Sequence, residues 1–328
     1  MNSTNSLPSR LCWFREANWG VMFHYLDKPA SSTTVSSTSA EEWNRRVESF
    51  DVARFAATVK ETGAGYVIFT LGQNTGHFCA PNPVYDGIVG IRPSKLSRRD
   101  LIMELAEALL PEVKLIAYLP SHAPAHDAQA VDRLRLHPSW DGSAWGLRAP
   151  LPAAAPADQR LAQFQRHWED IITWWGERWG EKVAGWWLDG CYFPDKMYRD
   201  REEPNFASFA RALRAGNGER ILAFNSGTSR PFERLAAEQD YTAGETSNRM
   251  PAPNKWEPMG ETIDGMQMHV LSYLGDWWGE GGPRFSTEWV RAYTRMVVER
   301  GGVMTWDVPI RADGEIPSGF LDQLQACR

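Results

Sequence analysis

The chain has 328 residues, enough for one large domain or two small ones. Its 43% hydrophobic and 23% charged content fits an ordinary globular fold, and a net charge of −6 gives no reason to expect nucleic acid or an anionic membrane as partner. No run of 18 apolar residues occurs, the first residues hold no apolar export-type core, and Cys12, Cys79, Cys191 and Cys327 are scattered without metal-type spacing. These features lead to the expectation of a cytoplasmic protein with reduced thiols, no metal and no cofactor.

In chain order, Trp19–Tyr25 reads as a first strand carrying His24 near its end. Residues 51–62 read as a helix, with Asp51 as N-cap, apolar residues at helical spacing and Gly63 as the stop. Gly65–Leu71 is a buried strand, 98–110 a helix stopped by Pro111, and Val113–Leu119 the third strand. Residues 122–157 form a Pro- and Ala-rich excursion that places His126 and Asp127 in a loop. Asp158 then caps a long helix with Leu161, Phe164, Trp168, Ile171, Trp175 and Trp179 along one side.

Ala184–Leu188 is uncharged and bulky, as in a strand buried on both faces, and it stops on Asp189 and Gly190. A helix over 204–215, a strand at Arg220–Asn225 and a short helix over 231–238 follow. Strands are then expected at Asp240–Glu245 and Met266–Ser272, a helix over 286–300, an eighth strand at Val303–Asp307 and a closing helix from Ser318. Eight strands alternating with helices are the pattern of a single-domain (β/α)8 barrel over 1–328. An open nucleotide-binding sheet is the weaker alternative, because no glycine-rich turn follows the first strand.

In such a barrel the C-terminal strand ends meet at one mouth. They gather His24, the Gln73–Asn74 pair, Tyr118 with Ser121 and His122, Asp189, Asn225, Glu245, His269 and Asp307. Amides, imidazoles and carboxylates together suit a polyhydroxylated ligand. Paired carboxylates are the minimum for cleaving a glycosidic bond: one attacks or acts as base, and the other holds a proton for the leaving oxygen. The competing reading of each carboxylate is a helix cap or an arginine partner. The chain also holds 16 tryptophans, more than a core of this size calls for, and flat aromatic faces stack on sugar rings. Zinc has no support from the spacing of His24, His269 and Asp189, and no Gly-x-Ser-x-Gly elbow is present.

The run Trp19–His24, the segment Glu42-Trp43-Asn44, Gly65–Leu71 followed by Gly76 and Phe78-Cys79, the motif Trp187-Leu188-Asp189-Gly190, Gly244-Glu245-Thr246 and the tail Pro309–Pro317 occur in this order. Together they resemble the alpha-L-fucosidase family, family 29 of the glycoside hydrolases, which are retaining enzymes on a (β/α)8 barrel. The resemblance implies Asp189 as nucleophile and Glu245 as acid/base. It also implies a substrate-binding role for His24, Glu42 and Trp43.

At two places the chain departs from that pattern. Gln73 and Asn74 stand where the family usually carries tandem histidines. Asp307 stands where its tail usually has asparagine, which makes Asp307 a second candidate acid. The resulting expectation is a retaining exo-glycosidase acting on a small carbohydrate. Trp187 and Trp43 would wall the sugar, while His24, Gln73, Asn74, Tyr118, Asn225 and His269 would read its hydroxyls. A galacto-, arabino- or other deoxy-configured glycone, or a sugar-binding protein without catalysis, are the alternatives. The sequence leaves oligomeric state open.

Overall fold

The computed structural model describes residues 7–32, 36–122, 124–136, 160–192, 197–252 and 259–328. Asp158, expected as a helix cap, lies outside them. The strands are β1 (Trp19–Phe23), β2 (Tyr66–Thr70), β3 (Lys114–Pro120), β4 (Val183–Asp189), β5 (Ile221–Phe224), a small antiparallel pair β6 (Thr262–Ile263) and β7 (Met266–Gln267), β8 (His269–Tyr273) and β9 (Val303–Asp307). Between and around them run α1 (Cys12–Ala17), α2 (Ala40–Glu48), α3 (Val52–Thr62), α4 (Pro83–Val89), α5 (Leu101–Leu109), α6 (Ala128–Leu134), α7 (Ala162–Trp179), α8 (Phe206–Leu213), α9 (Thr287–Glu299) and α10 (Ser318–Gln325).

Seven strands form one all-parallel sheet in the order β5-β4-β3-β2-β1-β9-β8. The remaining gap is filled by residues 240–246. On one side the Asp240 N–H donates to the Leu222 carbonyl of β5. On the other, Tyr241 bridges to Gln267 and Glu245 to Leu271 in parallel sense. The sheet therefore curls into an α/β barrel of the (β/α)8 type. The expected sixth strand is only a pair of isolated bridges. Between them Gly244 sits at φ +68°, where an added Cβ would lie 2.2 Å from the His269 carbonyl oxygen. A glycine lets the segment close onto β8, and its left-handed turn breaks the extended run.

The strand residues divide between two apolar clusters. Trp19, Val21, Phe23, Val67, Phe69, Trp186, Leu188 and Trp306 belong to the layer between sheet and helices. Met22, Ile68, Tyr118, Trp187, Ala223 and Leu271 fill the barrel, with Leu11 and Phe14 plugging its floor. Alternate residues of a strand face opposite sides. The inward parity of Met22, Trp187 and Ala223 thus carries His24, Asp189 and Asn225 to the inside of the mouth two residues further on, and Glu245 joins them beyond the turn at Gly244, where it meets Asn225. Helix starts follow local chemistry: Ser39, Asp51, Asn82, Asp100, Asp127, Asn205 and Ser286 each accept a backbone N–H of the first turn.

Two expected elements differ. No helix forms over 231–238; the Arg234 guanidinium instead donates to the carbonyls of Ala236, Ala237 and Asp264, and the Gln239 side chain takes the Leu235 N–H. The seventh strand is divided, with Met266–Gln267 in the small hairpin and His269–Tyr273 in the barrel. The tryptophans are largely structural: Trp43, Trp168, Trp175, Trp179, Trp186 and Trp306 are fully buried. Among the described residues no helix is long and apolar enough to cross a membrane, and Cys12, Cys79, Cys191 and Cys327 are free thiols.

Arg220, fully buried, has no carboxylate partner among the described residues. Its guanidinium donates to the carbonyls of Gly176 and Gly180 (2.7 Å each), Val183 and Leu213 (3.1 Å each) and Ala215, closing the C-terminal ends of α7 and α8. Arg220→Met would strand these acceptors beneath the sheet. Urea unfolding should show a loss on the order of 3–5 kcal/mol.

Candidate active site

Asp189 ends β4 and accepts three hydrogen bonds. The Tyr118 hydroxyl donates to Oδ2 at 2.6 Å, while the Gly190 N–H (2.8 Å) and the Asn225 amide (2.9 Å) donate to Oδ1. Burial, reinforced by the Asp189 charge, holds the Tyr118 phenol well above its ordinary pKa, so it remains a donor. Gln73 in turn donates to the Tyr118 oxygen at 2.7 Å. Asp189 therefore acts as an acceptor through both oxygens.

The Asn225 amide nitrogen also donates to Glu245 Oε2 at 2.7 Å, and its oxygen is held by the Gly227 N–H at 2.9 Å. One nitrogen thus joins the two carboxyl groups. Its two N–H bonds diverge by roughly 120°, which places the two oxygens they reach, Asp189 Oδ1 and Glu245 Oε2, about 5 Å apart. Burial first, and the Asp189 charge second, push Glu245 up to about 7, with the Asn225 hydrogen bond pulling the other way. Two carboxylates in one site, with one held proton-bearing near neutrality, can divide acid from nucleophile.

Across the mouth, His24 Nδ1 lies 2.7 Å from Asp307 Oδ1, and the Gly279 N–H donates to Asp307 Oδ2 at 2.5 Å. Burial disfavours the charged form of both partners. The Asp307 carboxylate, with Asp189 and Glu245 further off, offsets it and leaves His24 above its ordinary pKa. Burial also raises Asp307, against His24 and Gly279. Two N–H donors on its two oxygens decide in favour of Asp307 as acceptor.

A cavity of 580 Å³ opens beside Asp189, lined among others by Asp27, Gln73, Asn74, His122, His126, Tyr192 and Trp277. Asn74 Oδ1 is buried there without a hydrogen-bond partner. A larger cavity of 670 Å³ lies at the opposite end of the barrel, around Trp13, Trp19, Gly65 and Lys114, where the strands begin and the paired carboxylates do not reach.

The structure brings together His24, Gln73, Asn74, Tyr118, Trp187, Asp189, Asn225, Glu245 and Asp307. Trp187 stacks on Tyr118 at 5.4 Å and 13° and donates to the Ala243 carbonyl, a wall beneath the phenol with 2% of its surface open. Three expected residues lie elsewhere. Glu42 is on the surface, where its carboxylate takes the Ser39 N–H and hydroxyl in a capping box. Trp43 is fully buried between Tyr25 and His77, with its N–H on the Phe78 carbonyl at 3.0 Å, so it shows no face to a ligand. His269 begins β8 instead of ending it. It is sealed in the barrel floor against Phe14, between Thr305 Oγ1 at 2.7 Å and the Thr242 carbonyl at 3.0 Å, and burial lowers it to about 4.

No protein-family model matches the chain, and no curated protein matches its sequence. Solved structures do. An endo-fucoidan hydrolase from glycoside hydrolase family 107 superposes with a TM-score of 0.70 at 17% identity, over 97% of this chain and 63% of that one. The alpha-L-fucosidase AlfC from Lactobacillus casei, in complex with alpha-L-fucose product, superposes with 0.64 at 18% identity over 98% and 97%. A bacterial fucosidase with an iminocyclitol inhibitor gives 0.66 at 15% over 100% and 75%. The fold is shared with fucosidases. The chain spans 53–63% of three of the family 107 proteins to which it is similar, 92% of a fourth and nearly the whole of AlfC.

The sequence reading missed the rim. Tyr192 and Trp277, at 40% and 39% exposure, are two of the three large hydrophobic side chains exposed among the described residues, and both line the cavity beside Asp189. Their signal was their position: Tyr192 follows Asp189 by three residues, and Trp277 follows Tyr273, the last residue of β8, by four. Among the described residues, no group of three or more His, Cys, Asp or Glu could hold a metal ion.

Proposed function

We propose that this protein is a retaining exo-glycosidase that hydrolyses small alpha-L-fucosides or closely related glycosides. The observation that carries this reading is the Asn225 amide donating to both Asp189 and Glu245. A single bridging nitrogen supports a carboxyl separation of the retaining class, about 5–5.5 Å, and not the ~6.5–9.5 Å that leaves room for a water in inverting enzymes. The likeness to fucosidases supports the choice of glycone.

In this mechanism Asp189 attacks the anomeric carbon. Oδ2, which carries only the Tyr118 hydrogen bond, is the freer oxygen. Glu245 delivers its proton to the leaving oxygen, then as carboxylate takes a proton from the water that opens the glycosyl ester. His24, Gln73, Asn74 and Tyr118 read the sugar hydroxyls.

A panel of nitrophenyl glycosides tests the reading. The alpha-L-fucoside should be cleaved with kcat/KM at least about tenfold above the galacto- and arabino-configured members, a difference of about 1.4 kcal/mol. Preference for another member would reassign the glycone. Tight sugar binding in a calorimeter with no cleavage of any member would replace the enzyme by a binding protein.

A further inference from the structure

Asp307 is a candidate acid by sequence, but its surroundings give it a different part. Both of its oxygens are engaged, one by His24 and one by the Gly279 N–H, and the side chain is fully buried. A carboxyl group so enclosed has no path to a glycosidic oxygen. It meets the mouth only through His24, whose side chain is 7% exposed and whose ring packs edge-on against Tyr118 at 5.7 Å. Among the described residues, the His24 ring is hydrogen-bonded through Nδ1, to Asp307.

The third member of this chain is a turn at the rim. Trp277 and Glu280 bridge to each other, which folds Gly279 back over His24 at φ +65°. A Cβ at Gly279 would lie 2.8 Å from the His24 Cβ, so the turn can descend this far only with glycine there. The same turn carries Trp277 into the cavity and rests Trp278 against the His24 ring at 5.9 Å.

We propose that Asp307 is a positioning residue: anchored by the Gly279 N–H, it holds the His24 imidazole with Nδ1 inward and Nε2 offered as a donor to a substrate hydroxyl. The proposal deepens the glycosidase reading and rests on it, since the hydroxyl belongs to the sugar. The groups facing His24 are Asp307 from β9, Tyr118 from β3, Asp189 from β4 and Glu245 from the closing segment. Glu280 of the rim turn acts on Asp307. All but the tyrosine are carboxyl groups, so the surroundings favour the donor form of the ring, and burial opposes it.

Asp307→Asn keeps the shape and removes the charge. In the ligand-free protein, nitrogen NMR of the His24 ring should show its titration midpoint fall by at least about one pH unit. At pH 6 the calorimetric Kd for alpha-L-fucose should rise about tenfold, and KM should rise more than kcat falls. In a His24→Gln background the same change should add nothing further to Kd, as expected if Asp307 acts only through the ring. Asp307→Ser carries the same measurements if the asparagine variant does not fold.

An unmoved His24 titration with unmoved fucose affinity would overturn the proposal. So would a collapse of kcat at constant KM that formate restores, because Asp307 would then itself be the acid. If the His24 midpoint falls but no glycoside is bound or cleaved by the parent protein, the glycosidase reading fails, and the hydroxyl-donor half of the proposal fails with it.

Discussion

Asp189→Ala lowers kcat/KM on a nitrophenyl alpha-L-fucoside by at least ~10⁴-fold, the scale seen when a covalent nucleophile is removed from a unit that works together. The variant should still fold. The three donors it abandons are the Tyr118 hydroxyl, the Gly190 N–H and the Asn225 amide, all at the edge of a cavity where water can take the acceptor's place. The decisive readout is rescue. Azide enters the space left by the carboxylate and should restore turnover while producing a glycosyl azide of inverted configuration. A second readout follows from electrostatics: the Asp189 charge is one of the causes that raise Glu245, so its removal should lower the Glu245 titration. An Asp189→Ala protein as active as its parent would remove Asp189 from the chemistry.

The second large effect concerns Glu245. If it must be protonated to assist departure of the leaving group, activity is present while its proton is held and lost as pH rises through about 7. Glu245→Gln should cut kcat/KM by about 10²–10⁴-fold, most for poor leaving groups, and should abolish the alkaline limb of the pH profile. The same shift has a stability consequence of definite sign. The folded protein raises this carboxyl from an ordinary 4.5 to about 7, so its contribution to stability is complete below 4.5 and disappears as pH rises through 7. Glu245→Gln should therefore melt higher than the parent at pH 8, with the gap closing at pH 4.5. A variant destabilised equally at both pH values would mean that the Glu245 carboxyl serves the fold alone.

How far the sequence could be read depended on whether a residue's role is set by its near neighbours. Asp189 was legible because Trp187 and Asp189 share a face by simple alternation, and an apolar run that stops on a carboxylate marks a strand end. The long helices were legible from periodicity and their caps, as with Asp51 and Gly63. Glu42 was within reach as well, since Ser39 and Glu42 stand at the spacing of a capping box.

Two residues were not decidable from the chain alone. Trp43 could be wall or core, and only the packing of Tyr25 and His77 around it makes it core. His269 has the correct inward parity, but parity does not say which end of a barrel a residue occupies; a strand beginning at 269 puts it on the floor. The partnership of Asp307 with His24 joins the two ends of the chain, 283 residues apart, and the closing of the barrel alone creates it.

The most direct test of the whole account is to treat the protein with a 2-fluoro-substituted fucosyl fluoride, digest it and sequence the labelled peptide by mass spectrometry, while following the anomer first released from an aryl fucoside by proton NMR. The expected result is one glycosyl ester on Asp189 and initial release of the sugar with its anomeric configuration retained. A fucosyl label on any other residue, or initial release of the inverted anomer with no ester on Asp189, would contradict it.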